Sequence, residues 1–302
     1  MAKAKFYFFD KIIIAYSLFL TILILVFGRP LANYVDEIML NILYIAIVFI
    51  IVLGLSGKEN KIACFFRFLY PIFLFTVFYE QTGGLMRLFF PEFIDHQLTT
   101  IEKGILGINP TLWMDQNLIK TGLTEILMAG YFSYYFMIPI YLVSLFFLKE
   151  YRLILKSLAA IEITFFISYI LFFLYPIEGP RYFLANLYQT EITGPLFRKL
   201  VVFLQTHGSV HGGCMPSSHV AVAVVIIIFC LKYFKKAGII LIPINIGLAL
   251  GAVYGRYHYL SDVIVGAVMG MVVTFFVLRL YKANELNETQ KNIKDEALSH
   301  VS

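Results

Sequence analysis

Charge is what this sequence has least of. Asp, Glu, Lys and Arg make up 14% of its 302 residues, 60% are apolar, and the mean hydropathy is +0.81. A soluble domain carries about 25% charged residues, so a water-soluble fold is excluded. Cysteine is scarce as well. Cys64, Cys214 and Cys230 are odd in number and far apart, which excludes a disulfide framework and a CxxC metal pair. The net charge of +5 is mild and gives no footing for nucleic acid. Internal repeats are missing, and with them the paired half-repeats of many transporters. The N-terminal apolar run lacks a small-residue cleavage site, and Asp10 and Lys11 lead into a long segment, so it reads as a first transmembrane helix.

What is present is a series of apolar runs near the ~20 residues that cross a bilayer. The class is therefore all-α, a polytopic membrane helical bundle of about eight transmembrane helices. The spans are Ile12–Phe27, Ile38–Leu55, Phe65–Phe78, Ile126–Leu148, Leu153–Tyr175, His219–Tyr233, Ile239–Tyr254 and Leu260–Leu280. Alternating the loops puts Lys3, Lys5, Lys11, Lys58, Lys61, Arg67, Lys149, Arg152, Lys156, Lys232, Lys235, Lys236, Arg279, Lys282, Lys291 and Lys294 on one side. The other side holds Arg29, Arg87, Lys103, Lys120, Arg181, Arg198, Lys199 and Arg256. By the positive-inside rule both termini are expected to be cytoplasmic. The long loops 80–124 and 177–218 then face the periplasm, the exterior or a lumen. In the first loop, segments 84–90 and 97–117 mix apolar and polar residues at helical spacing and read as interfacial helices. In the second, 196–204 reads as a short helix. Three regions follow: 1–124, three spans plus outer interfacial helices; 125–282, a catalytic membrane domain; and 283–302, a polar tail expected to be disordered.

The chemistry concentrates in two stretches on the same predicted side. Gly212-Gly213-Cys214-Met215-Pro216-Ser217-Ser218-His219 opens one span, and Arg256-Tyr257-His258-Tyr259-Leu260-Ser261-Asp262 opens another. His258 and Asp262 are four apart and share a helix face. A carboxylate against one ring nitrogen leaves the other free to attack. Ser217 and Ser218 sit at a helix start, where free backbone N–H groups favour an anion. Arg181, after Gly179-Pro180, and Arg256 offer donor forks suited to phosphate oxygens. Glu162 lies deep in a span, where a carboxylate is expensive and often functional. Glu80, Asp95, His96, Asp115 and Glu125 sit near the same face, and His207 and His211 have a spacing compatible with zinc.

Pro216-Ser217-Ser218-His219 resembles the second motif, Pro-Ser-Gly-His, of the type 2 phosphatidic acid phosphatase superfamily. His258 to Asp262 resembles the His-x-x-x-Asp that ends its third motif. Three positions depart from the family pattern. Leu174 stands where the first motif has lysine, and Tyr182 follows Arg181 in place of proline. Ala252 stands where the third motif has arginine, with Arg256 two residues before His258. Ser218 replaces the glycine. This spacing is nearer to the inositol phosphorylceramide synthase and sphingomyelin synthase branch. The resemblance covers about residues 175–266.

The resemblance implies a metal-independent lipid phosphatase or phosphotransferase with no cofactor. His258 would be the nucleophile, forming a phosphohistidine, Asp262 would orient it, and His219 would protonate the leaving group. Arg181, Arg256, Ser217 and Ser218 would bind the substrate phosphate. The substrate would be a lipid phosphate or phospholipid, with a lipid alcohol or polyol as a possible acceptor. The competing reading is a polytopic transporter of a lipid or small anion, motivated by Glu162 and by Pro243 and Asn245 within the seventh span.

Overall fold

The computed structural model describes residues 5–58 and 60–299, with side chains described as far as Ala283. Every regular element among them is a helix: α1 (Phe8–Phe27), α2 (Tyr34–Leu55), α3 (Lys61–Leu85), α4 (Asp95–Leu106), α5 (Pro110–Asn117), α6 (Thr121–Phe147), α7 (Tyr151–Leu174), the single turn α8 (Pro180–Phe183), α9 (Phe197–Gly208), α10 (Ser218–Tyr233), α11 (Lys235–Tyr254) and α12 (Leu260–Ser299), with a 3-10 turn at Ala185–Leu187. The backbone of α12 stays helical through the polar tail to Ser299; the tail's side chains and residues 300–302, on which the expected disorder falls, lie outside the described residues.

Seven helices, α1, α2, α3, α6, α7, α11 and α12, are long and apolar enough to cross a membrane, which makes this an integral membrane helical bundle. The remaining expected span, α10, has 16 residues. At 1.5 Å per residue that is about 24 Å, short of the ~30 Å hydrocarbon layer. α3 is longer than the sequence suggests, with 25 residues against the expected Phe65–Phe78. The expected span already included Arg67 and Pro71; the helix extends beyond it at both ends, from Lys61 through the polar run after Tyr79 to Leu85. In the bundle Arg67 is buried and paired with Asp10, whose carboxylate also accepts the Tyr70 hydroxyl at 2.5 Å, so the charge is carried inside the helix. Of the three helices expected in the long loops, α4 with α5 and α9 form. Residues 84–90 do not: α3 runs to Leu85 and the chain then turns.

α7 and α10 form the centre. Ile154, Leu158, Phe172, Ala221, Val222 and Val225 have no exposed surface, and α10 packs on α7, α11 and α12. Small residues allow the closest approaches. A Cβ on Gly266 or Gly270 of α12 would collide with the backbone of Ser217 or Ala221 on α10. Gly130 of α6 lies against Gly247 of α11 in the same way. The first contact seats Asp262 of α12 beside the start of α10, where the Ser217 N–H donates to the Asp262 carbonyl at 2.9 Å.

Gly266→Leu is expected to destabilise the bundle by about 1–3 kcal/mol, as over-packing does, and to lower the melting temperature in detergent. Gly122→Ala, at a position with open space around it, should leave it unchanged. Equal melting temperatures for Gly266→Leu and the parent would contradict the tight α10–α12 contact.

Candidate active site

Two helix starts meet at one end of the bundle. α12 begins after a tight turn in which the Tyr257 and His258 N–H groups both donate to the Ala252 carbonyl, at 2.9 and 3.1 Å. Arg256 takes φ 65° there. Asp262 Oδ2 reaches back to accept the Tyr259 N–H at 2.8 Å, the N-terminal half of a capping box. Glu102 of α4 accepts the Ser261 N–H at 2.9 Å and its hydroxyl at 3.2 Å. α10 begins at Ser218, with Ser217 at its N-cap, after a loop that needs Gly212 (φ 97°) and Gly213 (φ 71°) in the left-handed region.

His258 is 5% exposed. Its Nδ1 lies 2.9 Å from the Cys214 carbonyl oxygen and 3.5 Å from Asp262 Oδ2. A carbonyl only accepts, so Nδ1 carries the proton and Nε2 keeps its lone pair. The expected Asp262 neighbour is present, yet the ring tautomer is set by the Cys214 carbonyl. Burial lowers the His258 pKa from 6.5 to about 4, partly offset by that hydrogen bond, so the ring is neutral near pH 7.

His219, on the first turn of α10, is edge-on to His258 with ring centroids 5.8 Å apart. Tyr134 and Tyr131 of α6 flank it at 4.4 and 5.6 Å, and its Nδ1 is buried with no hydrogen-bond partner among the described residues. His219, His258, Ser218 and Arg181 line one polar pocket, together with Glu178, Tyr182, Tyr257 and the Gly212–Cys214 loop. Arg181 makes no ion pair among the described residues; its guanidinium lies over the Tyr182 ring at 5.5 Å. Ser217 is fully buried behind Ser218, with its hydroxyl unpartnered and not capping the helix.

Arg256 is placed elsewhere and does not line the pocket. It binds the Asp115 carboxylate and the Thr190 carbonyl, and its guanidinium stacks 3.8 Å from the Tyr188 ring. The structure does not bring Arg256 into the pocket with His219 and His258; its contacts join the α11–α12 turn to α5 and to the loop after Arg181. Asp95, Asp115 and Glu125 join segments in the same way. Asp95 accepts the Glu178 and Gly179 N–H groups at 2.7 and 2.9 Å and the Tyr259 hydroxyl at 2.9 Å. Burial raises its pKa, opposed by these three bonds. Asp115 also accepts the Gln189 N–H at 2.8 Å, and Glu125 caps α9 through the Phe197 and Arg198 N–H groups at 2.8 and 3.1 Å. His207 and His211 have separate partners, the Phe203 carbonyl and Glu178. Glu162 is fully buried in mid-α7 and does not line the pocket. Cys214, His258 and Asp262 lie close enough to share an ion, but burial pushes the Cys214 thiol pKa well up, and its S–H points at the Glu178 and Tyr257 carbonyls at 3.4 and 3.5 Å.

Sequence reasoning missed the tyrosine wall. Tyr79 of α3 and Tyr131 of α6 line the polar pocket, and Tyr79, Tyr134 and Tyr135 line an apolar chamber between α3, α6, α7 and α9. Pocket and chamber share Tyr79, Gln205, Ser209, Ser218 and His219. The run Tyr131-Phe132-Ser133-Tyr134-Tyr135 carried a signal, three hydroxylated rings in one predicted span, but aromatic residues are abundant along the whole chain.

Stability is expected to fall as pH drops from about 6.5 toward about 4. The unfolded chain takes up a proton in that window, and the folded, buried His258 refuses it. Thermal melting of His258→Gln should show a shallower pH slope there; an identical slope would contradict the buried neutral ring.

A family model described as the PAP2 superfamily matches residues 96–276, from α4 into α12. No curated protein and no solved structure matches the chain.

Proposed function

The chain belongs to the PAP2 superfamily, and we propose that it cleaves or transfers the phosphate of a membrane lipid through a phosphohistidine. The observation that carries this reading is the shared wall at His219, where the polar pocket meets the apolar chamber inside the bundle. A soluble phosphate ester needs only the first; a lipid phosphate fills both.

In the proposed reaction Arg181 and the free N–H groups on the first turn of α10 hold the phosphoryl oxygens. Nε2 of neutral His258 attacks phosphorus. The N–P bond forms as the P–O bond to the lipid breaks, and His219, entering the step as an imidazolium beside the bound phosphate anion, gives a proton to the departing oxygen and is left neutral. Water or an alcohol then loses a proton to His219, its oxygen bonds to phosphorus, and the N–P bond breaks. Asp262 and the Cys214 carbonyl position His258, and no metal enters any step. The charge distribution of the loops supports a site on the non-cytoplasmic face, with both termini in the cytoplasm. Motif spacing supports the transferase branch, in which an alcohol replaces water.

Purified protein given lipid phosphates and phospholipids, with and without lipid alcohols or polyols, should release phosphate or form a new lipid. EDTA should leave the rate unchanged. His258→Ala should abolish turnover while the protein stays folded in detergent. Arg181→Ala should lower kcat/KM by roughly 10²–10³, as loss of one charge-stabilising donor does. Arg256→Ala should instead lower stability by about 1–3 kcal/mol, with a smaller kinetic effect. Full activity in His258→Ala would overturn the mechanism.

A further inference from the structure

Among the described residues Arg181 is the only lysine or arginine that lines the polar pocket. A phosphoryl group in transfer spreads its charge over three oxygens, and donors aimed at those oxygens supply much of the rate. Arg256 is bound elsewhere, and Ala252 is buried with its carbonyl taken by the turn before α12. The pocket also holds tyrosine hydroxyls, and one of them is coupled to a second arginine.

The Tyr257 hydroxyl accepts Arg198 Nη1 at 2.7 Å. Arg198 sits on the first turn of α9, where Glu125 of α6 accepts its N–H at 3.1 Å. Its Nε donates to the Ile192 carbonyl at 3.1 Å, which holds the guanidinium with Nη1 on the tyrosine. Among the described residues Arg198 makes no ion pair. Tyr257 is 8% exposed, and its ring packs 4.8 Å from that of Tyr131. Burial raises its pKa, opposed by Arg198 and Arg181, so the hydroxyl keeps its proton near pH 7. A guanidinium only donates, so the hydroxyl hydrogen is left for another acceptor, and none among the described residues takes it. An O–H whose oxygen accepts from a cation is itself a stronger donor. Tyr131 accepts only a neutral amide, Gln205 Nε2 at 2.9 Å, and Tyr79 a main-chain N–H at 3.4 Å.

We propose that the Tyr257 hydroxyl is a catalytic donor to a non-bridging phosphoryl oxygen, turned and polarised by Arg198 as its positioning residue. This rests on the phosphoryl-transfer reading above. Arg198 does not itself line the pocket, so its charge reaches the substrate through the Tyr257 O–H. The hydroxyl keeps its proton throughout: it donates a hydrogen bond, and the proton transfers stay with His219.

The test is a double-mutant cycle on kcat/KM, run on the member of the lipid panel above that the parent turns over fastest. Melting temperature in detergent is measured for every variant. Tyr257→Phe keeps the ring and its packing and removes only the hydroxyl; it should lower kcat/KM by roughly 10²-fold, as loss of one such donor does. Arg198→Met should lower kcat/KM roughly tenfold in the parent, the range of one hydrogen bond to a charged group. In the Tyr257→Phe background the same change should cost less than about twofold, because a residue that acts through another is not additive with it. Full activity in Tyr257→Phe would overturn the proposal. So would an Arg198→Met loss of equal size in both backgrounds, or losses that follow a lowered melting temperature, since either marks a brace for α9 and not a donor to substrate. If the parent turns over nothing in the panel, or if His258→Ala turns over as much as the parent, the phosphoryl-transfer reading fails first. If that reading holds and the cycle is additive, only the role of Tyr257 and Arg198 fails.

Discussion

The hydrogen bond from His258 Nδ1 to the Cys214 carbonyl, 2.9 Å long, is the contact on which the site depends. It joins the turn before α12 to the loop before α10. It also leaves Nε2 of a neutral imidazole unprotonated. Burial works in the same direction by making the imidazolium unfavourable. A surface histidine would divide between tautomers and titrate near 6.5; this one is held in a single state over a wide pH range. The backbone bond from Ser217 to the Asp262 carbonyl and the close approach at Gly266 fix the same two segments from beneath.

Around that contact the acidic residues share one task. Asp95 and Glu102 of α4, Asp115 of α5 and Glu125 of α6 each accept backbone N–H groups from a loop or helix start at the site end. Loops at the end of a membrane bundle have no ladder of their own to satisfy their amides. A carboxylate takes two or three such donors at once, so α4, α5 and the start of α6 serve as a brace for the segments that carry Arg181, Arg256 and Asp262. This division of labour separates the two arginines: Arg256 is consumed by the brace, and Arg181 stays available in the pocket.

Much of this was legible in the sequence, and the gaps have physical causes. The eight apolar runs all became helices, because hydropathy and length are local properties. The two polar clusters, read as opening new spans, meet with His219, His258 and Asp262 together, since helix-start signals and i, i+4 spacing are also local. The ion pair of Arg67 with Asp10 had no local signal, since Asp10 lies in another helix. The placement of Arg256 was not legible, because a guanidinium suits a phosphate and a carboxylate equally, and only the fold brings Asp115 to it. The role of the Cys214 carbonyl had no signal at all, since every residue has one. The tyrosine wall and the chamber behind it come from packing between α3, α6 and α7, which no spacing rule encodes.

The most direct measurement is to trap the covalent stage. Protein mixed with a ³²P-labelled lipid phosphate and quenched in alkali within the first turnover should carry label that is stable to base and released by mild acid. Mass spectrometry of its peptides should place the phosphoryl group on His258, and His258→Gln should carry none. Label on another residue, or turnover with no labelled protein at any time point, would contradict a phosphohistidine at this site.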